Sequence, residues 1–261
     1  MDPVLDVDWA AHWTGLVEAQ AARRPEPDQG TFWDRPARRF QRSIERQADP
    51  FWQFLEPWLL PTRTVIDVGA GVGRHSVPIA SRVDWVTAVE PSQGMRELIP
   101  ALENLTVIAS SWEDAEPAPA DLIICVHVLY DVAYPVPFVE KLQRCARERV
   151  FILLRDSGRF HPADWIGPAD RPRAPSFRDC FMLLRQMGVA PDAAMFEHQA
   201  SLWYESLDEA AAECRAVLGQ DWEDAPGRAW LEAHLRPQED GTLLYEVGVV
   251  TAGVLHWKPG S

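Results

Sequence analysis

Three alternate glycines, Gly69, Gly71 and Gly73, follow Asp67 at the exit of the apolar run Val65–Val68, and Glu90 closes a second run, Trp85–Val89. These residue types at this spacing suit one kind of chemistry. Bare backbone leaving a buried strand can come close to a nucleotide-like ligand. An acid about 20 residues beyond the glycines is placed to accept hydrogen bonds from a ribose diol. The loop lacks the third glycine of G-x-G-x-x-G, since position 74 is arginine. It is more open than a pyrophosphate loop and offers backbone to a ligand without phosphates. Further on, His127 leaves another apolar run, with Tyr130 and Asp131 close behind it. One turn would place both beside an imidazole that titrates near neutral pH, so His127 is a candidate general base with Tyr130 and Asp131 as its neighbours.

The elements that must position these groups alternate at short spacing. Strands are read at Val65–Val68, Trp85–Val89, Leu105–Ala109, Asp121–Val126 and Val150–Leu154, with helical stretches at His75–Ser81 and Pro137–Arg147. This alternation from residue 63 to 156 predicts a parallel sheet covered on both faces. Residues 1–60 read as helices: Trp9–Ala22, a polar break at Pro25–Gly30, then Arg35–Gln47 and Phe51–Leu60. Trp33, in the loop before the second of these, is a candidate lid over a bound ligand, whereas Trp52 and Trp58 are expected to dock their helix on the sheet. After Arg155 and Asp156, which either line a pocket or form a loop ion pair, a Pro- and Gly-rich loop runs to Pro175. Helices follow at Ser176–Met187, Leu207–Leu218 and Ala225–Leu235, with a strand at Ala194–Tyr204 and a last strand or hairpin at Thr242–Trp257.

Composition sets outer bounds. The chain has 261 residues, 47% of them apolar, enough for one sizeable core. Its net charge of −14 argues against nucleic acid, whose phosphates call for lysine and arginine. A local exception, Arg35, Arg38, Arg39, Arg42 and Arg46, reads first as a solvated helix face. The four cysteines (Cys125, Cys145, Cys180, Cys214) have no metal-ligand spacing, the histidines none either, and no metal is expected. No apolar run reaches membrane-spanning length, and a cytoplasmic location is expected.

Asp67-x-Gly69-x-Gly71-x-Gly73, followed by Glu90 and the turn Pro91-Ser92-Gln93-Gly94-Met95, resembles the Rossmann-like S-adenosylmethionine-dependent methyltransferases. The likeness continues through Ser111-Trp112-Glu113 after the third strand and Cys125-Val126-His127-Val128 at the end of the fourth. The resemblance implies an α/β, three-layer fold: a mostly parallel seven-stranded sheet with a reversed last strand, a helical N-terminal preface (1–60) and a helical insertion (206–240) before that strand. The methyltransferase domain would span 61–261, with a cofactor half at 61–156, substrate-side elements at 157–240 and a closing strand at 242–257. It also implies S-adenosyl-L-methionine as cofactor and S-adenosyl-L-homocysteine as product. Gly69, Ala70, Gly71 and Gly73 would pass the methionine portion, with Asp67 orienting the loop or meeting the ammonium through water. Glu90 would hold the ribose. Pro91, Ser92 and Met95 would cover the adenine, Ser111, Trp112 and Glu113 would meet its edge, and the Cys125 carbonyl would face the ammonium. Cys125-Val126-His127-Val128 departs from the N-P-P-Y pattern of amino-methylating nucleic-acid enzymes.

The expected activity is therefore methyl transfer to a small-molecule acceptor. Transfer to RNA or protein, a silent cofactor-binding protein and a dinucleotide oxidoreductase are the alternatives. Arg74 and His75 are expected on a solvated helix surface.

Overall fold

The computed structural model describes residues 7–22, 41, 49–156 and 159–260. Trp33, the Pro25–Gly30 break and the arginines of 35–46 lie outside them. Five strands, β1 (Thr64–Val68), β2 (Trp85–Val89), β3 (Leu105–Ile108), β4 (Ala120–Val126) and β5 (Ala146–Arg155), pair in parallel in the order 3-2-1-4-5. The sheet then continues through β8 (Leu243–Trp257), which runs antiparallel to β5, and ends on β6 (Asp192–Tyr204). The reversed strand thus lies one place in from the edge. A two-residue β7 (Arg236–Pro237) pairs with β8 and is too short to leave a periodic trace in the sequence.

The parallel strands are apolar on both faces because helices cover both. Alternate side chains separate cleanly. Ile66, Val68, Ile123, Cys125, Val150 and Ile152 face α1 (Trp9–Ala21), α5 (Pro135–Cys145) and α7 (Phe177–Gln186). Val65, Leu122, Ile124, Phe151 and Leu153 face α2 (Pro50–Leu55) and α3 (Ser76–Ala80). A short α4 (Gln93–Arg96) follows β2, and α6 (Ala163–Ile166) follows β5. The described part of the preface divides between the two faces. Trp13, fully buried, donates from Nε1 to Val132 O at 2.9 Å on one side, while Phe51 and Leu55 pack on the other, with Trp52 and Trp58 against them.

β8 and β6 outrun the sheet. Pairing of β5 with β8 ends at Arg155↔Ala252, but β6 follows β8 out to Tyr204↔Leu243. One extra residue beside Gly248, whose φ is 92°, makes a bulge that bends this ribbon. Beyond the carboxyl ends of the parallel strands it carries its own cluster. Leu202, Tyr204 and Tyr245 pack there with α6, α8 (Leu207–Leu218) and α9 (Asp224–His234). The 206–240 insertion is therefore built over the edge of the sheet where α/β folds bind ligands. Among the described residues, no helix is long and apolar enough to cross a membrane.

Candidate active site

The glycine loop is left-handed three times over. Gly69, Gly71 and Gly73 have φ of 67°, 57° and 82°, a region that favours glycine. At Gly69 a Cβ would also run into the Val128 side chain. The resulting corner turns amides inward: Gly69 and Ala70 donate to Val89 O, and Gly73 donates to Ala70 O. Gly71 N donates to Glu90 Oε2 at 2.8 Å, and Ser92 N donates to Glu90 Oε1 at 2.8 Å. Glu90 is 6% exposed. Burial raises its pKa against the pull of those two amides. Each oxygen keeps one acceptor position free, so the carboxylate fits a vicinal diol while already locked in place.

Asp67, 2% exposed, accepts Ser76 Oγ at 2.6 Å. Burial raises its pKa, opposed by His75 and Ser76. Its carboxylate ties the end of β1 to the start of α3. Ser92 caps α4, accepting Met95 N at 3.2 Å, while Pro91 is exposed. Met95 packs with Val72 beneath the loop. Beyond β3, Ser111 Oγ donates to Asp114 Oδ2 at 3.0 Å, and Glu113 is exposed. The Trp112 ring is 3% exposed in the core, with Nε1 donating to Phe138 O at 3.3 Å, so only its backbone remains for an adenine edge. Cys125 is fully buried, and burial pushes its thiol well up.

His127 is the one non-glycine among the described residues with positive φ, at 59°. Such a conformation in a bulky side chain points to a constrained site. Its N–H donates to Leu153 O, and its Nδ1 lies 3.0 Å from Tyr130 Oη. Tyr130 Oη in turn accepts the Arg155 N–H at 2.7 Å. More than a third of His127 is open to solvent, on the wall of a cleft. Desolvation by the surrounding protein, with the Arg155 and Arg74 charges, holds the imidazole well below its ordinary range. Burial likewise raises the Tyr130 hydroxyl. Asp131 ends the turn Leu129–Asp131 on its exposed side.

His127 faces a cleft of about 400 Å³, mouth included, bounded by Val126, Leu153, Ala252, Phe196 and His198 and by Phe51, Arg74, His75 and Asp49. Arg74 and His75 are not on a solvated surface. Asp49 caps α2 and takes both, Arg74 Nε at 3.1 Å and His75 Nε2 at 2.9 Å, leaving His75 only 7% exposed. Burial opposes ionisation of Asp49, but the bond and electrostatic pull of His75, with the Arg74 charge, outweigh it and hold the carboxyl well below the carboxylate range. The sequence motifs singled out neither Asp49, Phe196 nor His198. They arrive from α2 and β6, far along the chain, and only the closing of the sheet brings them to His127. Among the described residues, no three His, Cys, Asp or Glu side chains are grouped to hold a metal ion.

Residues 40–207 match the model of a family described as a methyltransferase domain. No curated protein matches the sequence. Several solved structures share the fold. A methyltransferase candidate of Bacillus halodurans C-125 is 12% identical, with a TM-score of 0.56 over 82% of this chain and 100% of its own. Another, from an antibiotic biosynthesis pathway of Anabaena variabilis ATCC 29413, is 17% identical, with a TM-score of 0.53 over 82% of this chain and 99% of its own. The (4+2)-cyclase SpnF is 12% identical, with a TM-score of 0.53 over 88% of this chain and 94% of its own. The family match covers well over half of the chain and includes the glycine loop, Glu90 and His127. The chain belongs to the methyltransferase-domain family, as an S-adenosylmethionine-dependent enzyme of the Rossmann-like type.

Proposed function

We propose that the enzyme methylates a small-molecule acceptor held in the cleft between the glycine loop, β4, β5 and the overhanging β6/β8 ribbon. The observation that carries this reading is His127, held in left-handed backbone at the end of β4 with its ring on the wall of that cleft. When bound, S-adenosylmethionine supplies a methyl group activated by the positive charge of its sulfonium. The chain's task is then to align the partners and exclude water, which can contribute on the order of 7–11 kcal/mol. Glu90 would hold the ribose hydroxyls. Gly69, Ala70, Gly71 and Gly73 would border the methionine portion and the Cys125 carbonyl its ammonium. Pro91, Ser92 and Met95 would lie under the adenine, and the backbone at Ser111, Trp112 and Glu113 along its edge.

The Tyr130 hydroxyl has one proton and already accepts from Arg155 N. We assign the Tyr130 proton to His127 Nδ1, the arrangement that gives the buried hydroxyl an acceptor and leaves the imidazole proton on Nε2. In this tautomer His127 meets the acceptor as a hydrogen-bond donor. Acting as a base would require the opposite tautomer and would strip the buried Tyr130 hydroxyl of its acceptor, a cost of about 1–3 kcal/mol. We assign His127 to orienting the acceptor oxygen or nitrogen, with Tyr130 as its positioning residue. Methyl transfer by His127→Gln and His127→Ala tests this. Both variants carry the same backbone strain, but glutamine retains an N–H near the imidazole Nε2. Gln well above Ala is expected, and equal loss in both would return His127 to the role of base. Wild-type activity in His127→Ala would remove it from the site. Transfer to RNA or protein, but to no small molecule, would overturn the choice of acceptor.

A further inference from the structure

Arg155 closes β5 at the ligand edge of the sheet. Its guanidinium lies 4.9 Å from the centre of the Tyr130 ring and 4.2 Å from that of Phe160, a cation held between two aromatic faces. Neighbouring arginines have acids. Asp156 takes Arg178 through two bonds of 2.8 and 2.9 Å, Asp49 takes Arg74, and Asp164 lies 3.9 Å from Arg171. The Arg155 guanidinium has no hydrogen bond or ion pair with any described residue, in a chain with 39 acids to 25 bases. Tyr130 touches both this guanidinium and His127. Across the cleft, His198 has a buried Nδ1 that lacks a hydrogen-bond partner. Arg155 pairs along the sheet with Ala252 of the cleft wall, and burial, with the Arg155 charge adding to it, lowers the pKa of both histidines.

We propose that Arg155 is the specificity-determining anchor of the acceptor site, and that the acceptor is a carboxylic acid whose carboxylate pairs with this guanidinium while its body lies along Phe196 toward His127. A planar guanidinium that is already oriented by stacking binds a carboxylate through two parallel bonds with little further ordering. His198 offers a second polar contact on the far wall. The acid-rich surface elsewhere repels such a ligand, so a cation with no acid partner among the described residues selects where it lands.

The assignment rests on the methyl-transfer reading and is tested apart from it. The whole protein is first titrated with S-adenosylhomocysteine; no binding there would sink the methyl-transfer reading itself. The loaded protein is then titrated with benzoate against benzamide and salicylate against salicylamide, in wild type, Arg155→Gln and Arg155→Lys. Acids should bind at least about tenfold tighter than their amides, and the preference should vanish in Arg155→Gln while S-adenosylhomocysteine affinity is kept. A partial preference is expected in Arg155→Lys. By NMR, the His127 titration midpoint should rise on benzoate binding, because neutralising Arg155 removes a charge that opposes protonation. Loaded wild-type protein with no preference for acids overturns the proposal, as does an undiminished preference in Arg155→Gln.

Discussion

Glu90→Gln isolates what the second-strand acid contributes. The substitution keeps shape but replaces one carboxylate oxygen by an NH2 group. Both oxygens accept backbone amides at 2.8 Å, from Gly71 and Ser92, so the new NH2 must face one of those N–H donors. One charge-assisted bond, about 1.5–3 kcal/mol, is lost, and a buried amide is left unpaired at a further cost of about 1–3 kcal/mol. Glutamine recovers part of this, because burial already disfavours the ionised Glu90. A net loss of about 2–3 kcal/mol would lower Tm by roughly 5–10 °C in a chain of this size. Cofactor affinity falls separately. Losing one of the two ribose acceptors, at about 1.4 kcal/mol per factor of ten, predicts S-adenosylhomocysteine binding weaker by roughly 10- to 100-fold. Thermal melts and calorimetric titration, run together, separate the two effects. A lower Tm with wild-type affinity would make Glu90 a loop brace with no ribose contact. An unchanged Tm would refute the account of the loop.

Gly69→Ala should be among the most damaging small substitutions, since it meets both positive φ and the Val128 side chain; a cost above about 2 kcal/mol is expected in denaturant melts, and a near-neutral result would contradict the loop geometry. Tyr130→Phe should leave cofactor affinity intact and lower turnover by freeing the His127 tautomer, and full activity would remove its positioning role. His256, whose pKa is lowered by burial and by Arg149, gives stability that is present above its unfolded pKa and lost as pH falls through the folded one. The stability difference between wild type and His256→Gln should therefore shrink as pH drops below about 6.5. A difference that stays constant would refute the linkage.

Much of the sheet was legible because its signals are local. A five-residue apolar run buried on both faces, ending in glycines, has few other readings, and β1 with its corner appears where the run predicts. Helix α8, with Ser206 as its cap, matches the expected Leu207–Leu218 to the residue. The role of Trp112 was less legible. Its position after β3 resembles an adenine contact, but its ring turns into the core, where Phe138 and Lys141 meet it. Sequence placed the residue; the direction of its side chain depended on which face of the sheet α5 covers.

The acceptor cleft was illegible for a different reason. Arg74 and His75 follow the glycines as helix-surface residues would, and only Asp49 turns them inward. His198 and Phe196 stand on a strand whose period says which face each takes but not what lies opposite. The answer depends on β8 entering between β5 and β6 and on the bulge at Gly248 that bends the ribbon beyond Arg155. The cofactor half is thus written in consecutive residues, and the acceptor half in strand order. A chain with the same glycine loop and a differently bent ribbon would keep the cofactor and lose this cleft. On the reading proposed above, β8 around Gly248 would act beside Arg155, by setting the path of the ribbon that carries Phe196 and His198. Gly248→Val should strain the left-handed backbone there and shift acceptor KM while leaving S-adenosylhomocysteine affinity within about twofold, since two strands, β4 and β5, stand between β8 and the β1 that carries the glycine loop. Equal losses in acceptor and cofactor binding would show the two halves to be coupled and refute the division.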